Sequence, residues 1–423
     1  MQRFFTCLVL LGLTGLACAG SARPTAAPAT QPSAPLATPI LPTTSVSSAF
    51  IAPPPPQEYQ ALYAELNAEL DAFLATLPGS PGQPPIFSAE LMYANGNLGT
   101  YLLQAGILET ARLALDRLQS LGVQGVGVQI SYPLLQPDFP RSDEYLAFYK
   151  QIAADVHQHG MTLLVETGPV FPQAEYSGDF GRQVDYSGLT NQEYFDTKRQ
   201  MLVTIAREIQ PDYLALGNEP TTEEMLTGLR FTLQEYFDFV DATLAEIGSA
   251  DNIKIGAGTG TWEESAYLEH FLQHPDLDFI NIHIYPIGQD GRLLEQARQA
   301  ARRASQAGKD TVIGEAWLYK ASHAELGGGL GGNHVEIYSR DAFSFWEPLD
   351  EKFMQAVIGM AEAEGIDFVS FFWTRYLLAY LDYDATSSLS TLELSRQVNQ
   401  AARASLEKGI FSPLGLFYQQ QTK

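Results

Sequence analysis

The sequence predicts an α/β fold, a (β/α)8 TIM barrel that follows an N-terminal helix and a disordered tether. The first observation is a series of short apolar segments that recur from residue 85 onward. The second is the helical spacing of apolar residues in the stretches between them. The third is their number, because eight strand–helix units match a closed barrel of ordinary size.

The predicted strands are Ile86–Tyr93, Gly125–Ser131, Thr162–Glu166, Tyr213–Gly217, Ile253–Gly258, Phe279–Ile284, Thr311–Gly314 and Phe368–Trp373. The predicted helices are Ile107–Leu121, Asp143–His159, Asn191–Ile209, Leu233–Ile247, Gly291–Ala307, Asp350–Glu364 and Leu392–Glu407. Strands that alternate with helices form parallel βα units. A doubly wound open sheet is the competing architecture, but the glycines at 93–99 lack the GxGxxG spacing of its phosphate-binding turn.

The first 18 residues predict a secretory signal peptide. Arg3 gives a positive start, and the apolar run Phe4–Leu16 is too short to span a bilayer. Leu16-Ala17-Cys18 resembles a bacterial lipoprotein signal, in which Cys18 becomes the lipid attachment site. Cleavage after Ala19 is the competing interpretation and implies ordinary secretion. We favour the lipoprotein, which predicts an exported, cell-surface protein held to a membrane only by its N-terminal lipid.

Residues 19–56 predict a linker, because they are rich in Pro, Ala, Thr and Ser and end in four consecutive prolines. The apolar spacing of Glu58–Leu77 then predicts a helix with one face against the main domain. Residues 57–423 form the predicted barrel domain.

The composition restricts the partners. A formal net charge of −24 opposes binding to nucleic acid and to other polyanions, whereas a neutral carbohydrate is unaffected. The two cysteines, Cys7 and Cys18, both lie in the leader, so the domain has no cysteine for a disulfide, a metal or catalysis. We predict no cofactor and no metal. The sequence leaves the oligomeric state open.

The active site of such a barrel lies at the C-terminal ends of its strands. The polar and aromatic residues at those ends are Glu166 on strand three, Asn218 and Glu219 after strand four, His283 and Tyr285 on and after strand six, Glu315 and Trp317 after strand seven, and Trp373 on strand eight. Two facing carboxylates are the minimal equipment for cleaving a glycosidic bond. The pair Glu219 and Glu315 is therefore the candidate catalytic pair.

These strand ends resemble, in order, those of the large clan of retaining glycoside hydrolases built on this barrel. The resemblance rests on Asn218-Glu219-Pro220, His283-x-Tyr285, Gly314-Glu315 and Trp373, and it spans roughly residues 85–410. It implies that Glu219 is the general acid/base and that Glu315 is the nucleophile. It implies cleavage of β-glycosidic bonds in a neutral poly- or oligosaccharide by double displacement, which needs one protonated and one ionised carboxyl group.

The resemblance also implies substrate contacts. Asn218 is expected to bond the sugar 2-hydroxyl, Tyr285 to donate to Glu315, and Trp373 to lie under the reacting sugar. His283 faces the centre with Tyr285 or serves the structure, and Glu166 either binds sugar hydroxyls or pairs with an arginine. The candidate outer stacking positions are Trp262, Trp317, Trp346 and Tyr132.

Several questions stay open at this stage. Strand two ends without the arginine that many clan members carry, so no family or sugar is assigned. The Gly-rich segment 327–332 is either a mobile lid over the cleft or a disordered insertion. The alternative function is a non-catalytic, surface carbohydrate-binding barrel in which the two glutamates only bond the ligand.

Overall fold

The computed structural model describes residues 52–423 except for 79–81, 173–176, 178–179, 182, 249–251, 286–291, 323 and 326–333. The predicted signal peptide, Cys18, nearly all of the predicted linker and the Gly-rich segment 327–332 lie outside the described residues. Within the described part, no helix has the length and apolar character needed to cross a membrane.

Eight parallel strands close into a barrel in chain order, which confirms the predicted fold class. They are β1 Ile86–Glu90, β2 Gly125–Tyr132, β3 Thr162–Pro169, β4 Tyr213–Ala215, β5 Lys254–Gly260, β6 Phe279–Ile284, β7 Asp310–Ala316 and β8 Phe368–Phe371. The final pairing joins β1 to β8, with Ile86 opposite Phe368. Closure leaves no strand edge unpaired. The first strand ends earlier than predicted because residues Met92–Ala94 turn into a 3-10 helix.

The described helices surround the barrel. They are α1 Gln60–Leu74, α2 Ile107–Ser120, α3 Ser142–Gln158, α4 Asn191–Thr204, α5 Pro220–Thr227, α6 Leu233–Ile247, α7 Ser265–Gln273, α8 Arg292–Gln306, α9 His334–Arg340, α10 Glu347–Glu364, α11 Tyr383–Thr386, α12 Thr391–Lys408 and α13 Pro413–Gln421. Thr190, Thr232 and Ser390 form capping boxes that begin α4, α6 and α12.

The strands bury side chains on both faces, as parallel barrel strands do. Leu164, Tyr213, Phe279, Val312 and Phe368 form one buried cluster, with Ile86 packed against it. Their neighbours along the strands belong to the larger cluster, which also contains the apolar faces of the helices. This alternation of period two places the smaller cluster inside the barrel, where it closes the interior beneath the C-terminal mouth.

The N-terminal helix packs as predicted. The buried face of α1 comprises Leu62, Leu66, Leu70 and Phe73, and the helix lies against α10. Tyr63 stacks on Trp346, with ring centroids 5.8 Å apart. The helix is therefore part of the domain and not an extension of the linker.

Candidate active site

A cavity of about 940 Å³ opens at the C-terminal ends of the strands. Seven of the eight predicted site residues line it, namely Glu166, Asn218, Glu219, His283, Tyr285, Glu315 and Trp373. Trp262, one of the predicted outer stacking positions, also lines it. These residues come from β3 through β8, so only the closed barrel brings them together.

Glu219 lies between the end of β4 and the start of α5, where Pro220 occupies the first helical turn. Its side chain makes no capping bond to that helix. Its Oε1 instead lies 2.7 Å from His283 Nδ1. The carboxylate thus points into the cavity and does not stabilise its own helix.

A buried ion pair anchors the segment that carries Glu219. Lys198 Nζ on α4 lies 2.6 Å from Glu223 Oε1 on α5, and both side chains are almost fully enclosed. Tyr194 donates a hydrogen bond of 2.7 Å to the other oxygen of Glu223. A side chain at Gly217 would approach the Tyr236 hydroxyl to 2.1 Å, so this turn requires glycine. Contacts among buried side chains of α4, α5 and α6 therefore fix the segment that follows β4.

Glu315 is set by an irregularity in the sheet. The pairing of β7 with β8 shifts register between Ile313 and Ala316, which leaves Gly314 and Glu315 at the shift. Register shifts of this kind often re-aim a side chain beside an active site. The Tyr285 hydroxyl donates a hydrogen bond to Glu315 Oε2. This bond is the one that the resemblance led us to expect.

The Glu315 carboxyl is buried, and burial raises its pKa to about 8. The nearby His283 imidazolium and the Tyr285 hydrogen bond lower this pKa, while Glu166 and Glu219 raise it further. The cluster thus holds three carboxyl groups around one imidazole, and the charges of these neighbours influence the protonation of Glu315.

His283 is the hub of the site. Its Nδ1 faces Glu219 Oε1 at 2.7 Å, and its Nε2 faces Glu166 Oε1 at 2.8 Å. Both ring nitrogens therefore donate to carboxylates, which is the arrangement of an imidazolium. Burial lowers the His283 pKa, but Glu315, Glu166 and Glu219 outweigh burial and raise it well above the usual value. Glu166 thus pairs with His283 and not with an arginine, contrary to one predicted alternative.

Asn281 links two of the candidate site residues, Glu166 and Asn218. Its amide nitrogen donates to Glu166 Oε1 and, at 2.8 Å, to Asn218 Oδ1. A side chain at Gly314 would come within 2.2 Å of Glu166 Oε1 and 2.6 Å of Asn281 Oδ1. The glycine of the Gly314-Glu315 pair is therefore required by close packing. Asn281, His283 and Tyr285 alternate along one strand face, and that period of two was the signal by which Asn281 was detectable in the sequence.

The two candidate catalytic carboxyls are close. His283 Nδ1 lies 2.7 Å from Glu219 Oε1 and 3.6 Å from Glu315 Oε2. The two oxygens cannot be farther apart than the sum of these distances. That upper limit is below the roughly 6.5–9.5 Å that separates the carboxyl groups of inverting glycosidases.

Trp373 lies on the cavity wall after β8. Its backbone is in the left-handed region, with φ of 55°. The Arg375 guanidinium lies 4.2 Å from the centre of its ring, a cation–π contact. The Tyr338 ring is tilted against it at 5.4 Å. The indole is thus fixed in one orientation at the edge of the cavity.

Trp317 does not reach the cavity, which corrects its prediction as a substrate contact. Its side chain is 2% exposed, and its Nε1 donates to Asp341 Oδ2 at 2.9 Å. Its ring stacks on Tyr376 at 5.3 Å, with Lys320 Nζ over it. Trp346 and Tyr132, two of the predicted outer stacking positions, are likewise buried outside the cavity lining. The large apolar area of these rings is used in packing.

Glu166, His283 and Glu315 place ligand-type atoms within 4.8 Å of one another. These atoms are already engaged, since His283 contacts both carboxylates and Tyr285 bonds Glu315. A metal ion there would have to displace the imidazolium. The donor set therefore fits a proton network better than a cation site.

The comparisons with known proteins concern the fold. No protein-family model matches the chain, and no curated protein matches it. Among solved structures, a GH5_18 variant from Bifidobacterium longum subsp. longum in complex with Manb1-4GlcNAc is similar, with 14% identity, a TM-score of 0.50, and coverage of 80% of this chain and 78% of that one. GH5_18 from Streptomyces cattleya in complex with GlcNAc has 13% identity, a TM-score of 0.49, and coverage of 81% and 80%. At these identities the first similarity shows the shared barrel fold.

Proposed function

We propose that this protein is a retaining glycoside hydrolase that cleaves β-glycosidic bonds of a neutral oligo- or polysaccharide. The observation that carries the proposal is the short separation of Glu219 and Glu315 across His283 Nδ1. A separation below the inverting range supports a retaining mechanism, in which no water lies between the sugar and the second carboxylate in the first step. Glu315 is then the nucleophile, and Glu219 is the general acid/base.

In the first step, Glu315 attacks the anomeric carbon while Glu219 protonates the departing glycosidic oxygen. In the second step, Glu219 removes a proton from water, which attacks the same carbon and releases Glu315. The Tyr285 hydrogen bond favours the ionised form of Glu315 at the moment of attack. Glu219 must enter the first step protonated, and the nearest source of that proton is His283 Nδ1, 2.7 Å from Glu219 Oε1.

Asn218 supports the sugar assignment. Its amide oxygen is held by Asn281 at 2.8 Å, so the side chain has one orientation in the cavity wall. In a retaining mechanism, a hydrogen bond to the 2-hydroxyl strengthens in the transition state. Trp373 and Trp262 line the same cavity and supply flat apolar surfaces, which suit the faces of sugar rings.

The disaccharide bound by the structurally similar GH5_18 variant is a β-1,4 compound of two neutral sugars. It is a reasonable first substrate to assay here, together with aryl β-glycosides, mannan, xylan, galactan and β-glucan. We also propose that the protein acts outside the cell and is lipidated at Cys18. Mass spectrometry of the mature N-terminus tests that proposal.

Two measurements test the mechanism. The anomeric form of the first product, followed by proton NMR, should be the same as that of the substrate. A 2-deoxy-2-fluoro glycoside with a good leaving group should label the protein, and peptide mapping should place the label on Glu315. An inverted product would contradict the retaining mechanism.

The Glu315→Ala variant separates catalysis from binding. We expect it to lose hydrolysis to the background of the assay while it keeps the parent's melting temperature and its affinity for sugars. The exposed Glu264 gives a matched Glu264→Ala control that should retain full activity. A parent protein that binds sugars but shows neither turnover nor labelling would favour the non-catalytic carbohydrate-binding barrel.

A further inference from the structure

The cavity wall formed by β1, β2 and β8 carries polar residues that the mechanism above does not use. They are Glu90, Asn95, Gln129 and Arg375. Glu90 is the last residue of β1, and Asn95 follows in the turn after it. The Thr374 hydroxyl donates to the Glu90 carbonyl at 3.0 Å, which joins the β1 and β8 ends.

One carboxylate oxygen of Glu90 accepts a hydrogen bond, and the other is buried without a partner among the described residues. Its side chain is 93% enclosed, and its Oε1 accepts a hydrogen bond of 2.8 Å from Asn95 Nδ2. Asn95 is itself fixed, because its Oδ1 accepts from the Asn97 backbone at 2.9 Å. Among the described residues, Oε2 of Glu90 has no hydrogen-bond partner. The backbone N–H of Trp373 is close enough to the Glu90 carboxyl to lower its pKa. It does not form a hydrogen bond with Oε2.

A buried carboxylate oxygen without a donor is costly, so a donor from a bound ligand would be strongly favoured. Burial raises the Glu90 pKa, while the Asn95 hydrogen bond and the Arg375 charge lower it. The wall therefore presents a carboxylate acceptor with a guanidinium nearby. Glu90 would repel the carboxylate of an acidic sugar, and Arg375 would repel the ammonium group of an amino sugar. Glu90 and Arg375 together therefore suit an uncharged sugar whose hydroxyl group donates a hydrogen bond.

The proposed role of Glu219 sets the direction in which the sugar chain lies in the cavity. Glu219 protonates the leaving group, so the leaving group lies on the β4 side, near Thr221 and Met225 of the cavity lining. In the proposed mechanism we take the ring that Glu315 attacks to extend the other way, toward Trp373 and Glu90 of the cavity lining.

We propose that Glu90 is a specificity-determining residue on the glycone side, where its carboxylate accepts a hydrogen bond from a hydroxyl of a neutral sugar. Asn95 is the positioning residue that orients the Glu90 carboxylate. This inference rests on the proposed function, since it uses the direction in which the leaving group departs. It deepens that function by assigning a neutral, hydroxyl-bearing glycone.

The test uses the full chain and the aryl β-glycoside that the parent hydrolyses fastest, together with its monodeoxy analogues. Steady-state kinetics are measured for the parent, Glu90→Gln and Glu90→Ala. The matched control is Glu347→Gln, which removes another buried carboxyl, one that accepts from the Leu414 backbone and lies outside the cavity lining. Melting temperatures report on folding for each variant.

We expect Glu90→Ala to lower kcat/KM about 10- to 100-fold, the range of a hydrogen bond to a charged group. One monodeoxy analogue should lose a similar factor with the parent and lose little more with Glu90→Ala. Glu347→Gln should keep the parent's kcat/KM on every analogue. Unchanged kcat/KM in both folded Glu90 variants, or deoxy penalties equal in parent and variant, would overturn the inference and leave the hydrolase intact.

A parent that hydrolyses none of the glycosides refutes the proposed function, and binding then decides the inference. Trp262 and Trp373 line the cavity, so their fluorescence reports the binding of the same sugars. Affinity that falls about 10-fold or more in Glu90→Ala supports the contact. If Glu90→Ala binds these sugars with the parent's affinity, the proposed contact between Glu90 and the sugar is refuted.

Discussion

The His283 imidazole lies 2.7 Å from Glu219 through Nδ1, and it is not free to leave that position because its other nitrogen bonds Glu166. The imidazole joins the candidate acid/base Glu219, at the end of β4, to Glu166 on β3 and Glu315 on β7.

Replacement of Glu219 by alanine should lower kcat about 10²- to 10⁴-fold, the range of general acid–base catalysis. The loss should be larger for a disaccharide than for a nitrophenyl glycoside, because the nitrophenolate leaves without protonation. Steady-state kinetics on both substrates measure the difference. Added azide should restore turnover of the nitrophenyl glycoside and yield a glycosyl azide with the substrate's anomeric configuration. Equal losses on both substrates would contradict the acid/base role.

The Glu166→Gln variant should shift the whole pH profile of kcat/KM toward lower pH. The Glu166 charge raises the pKa of His283 and that of Glu315. Its removal lowers both pKa values, so the imidazolium is lost and Glu315 ionises at lower pH than in the parent. Kinetics between pH 4 and pH 9 test this. If kcat fell while the acidic and basic limbs of the pH profile stayed at the parent's pH values, Glu166 would have only a structural role.

Glu263 should make the fold less stable as pH rises. Burial raises its pKa from 4.5 to about 7, against hydrogen bonds from Thr221 that lower it, while Glu219 raises it further. The folded state therefore binds this proton more tightly than the unfolded state does, and the resulting stability is lost as pH rises through about 7. Between pH 4.5 and about pH 7, Glu263 lowers the free energy of unfolding by up to about 1.4 kcal/mol per pH unit.

The Glu263→Gln variant should lack that contribution. Urea denaturation at several pH values from 5 to 8 should give a flatter dependence than in the parent. The exposed Glu264→Gln change nearby is the control and should leave the parent's slope in place. Parallel curves for Glu263→Gln and the parent would show that Glu263 does not carry the effect.

Breaking the buried pair under the β4 end should destabilise the protein strongly. Lys198→Met leaves the Glu223 charge enclosed beside Tyr194 and Tyr236, and such losses are typically about 3–5 kcal/mol. The exposed pair of Lys150 with Glu208 gives a control, for which Lys150→Met should change stability by less than about 1 kcal/mol. Denaturant titration measures both variants. Equal effects would refute the role assigned to the buried pair.

Removal of divalent metal should leave hydrolysis unchanged. The ligand-type atoms of Glu166, His283 and Glu315 are occupied by contacts with one another and with Tyr285. Activity after treatment with EDTA and gel filtration should equal that of the untreated protein. Loss of activity that zinc or calcium alone restores would assign a metal to this cluster.

The fold was predictable in its essentials because strand and helix patterns are local. All eight predicted strands are present, and boundaries moved where the backbone turned, as after Glu90. The aromatic side chains were harder to place. Trp317 and Trp373 both follow barrel strands, yet one packs beneath Lys320 and the other lines the cavity. The direction of a side chain just after a strand depends on the geometry of the loop, and the periodic sequence pattern of strands and helices does not predict that geometry.

The sequence by itself determined the barrel and the strand ends from which the two candidate carboxyls come, since both depend on local patterns and their order. Only the tertiary structure decided which groups meet. Glu90 carried no motif, and the partners of His283 lie on strands far apart in the chain. Closure of the barrel sets those distances. Burial at its centre then raises the pKa of Glu315, because desolvation is a property of the assembled site and not of any tetrapeptide.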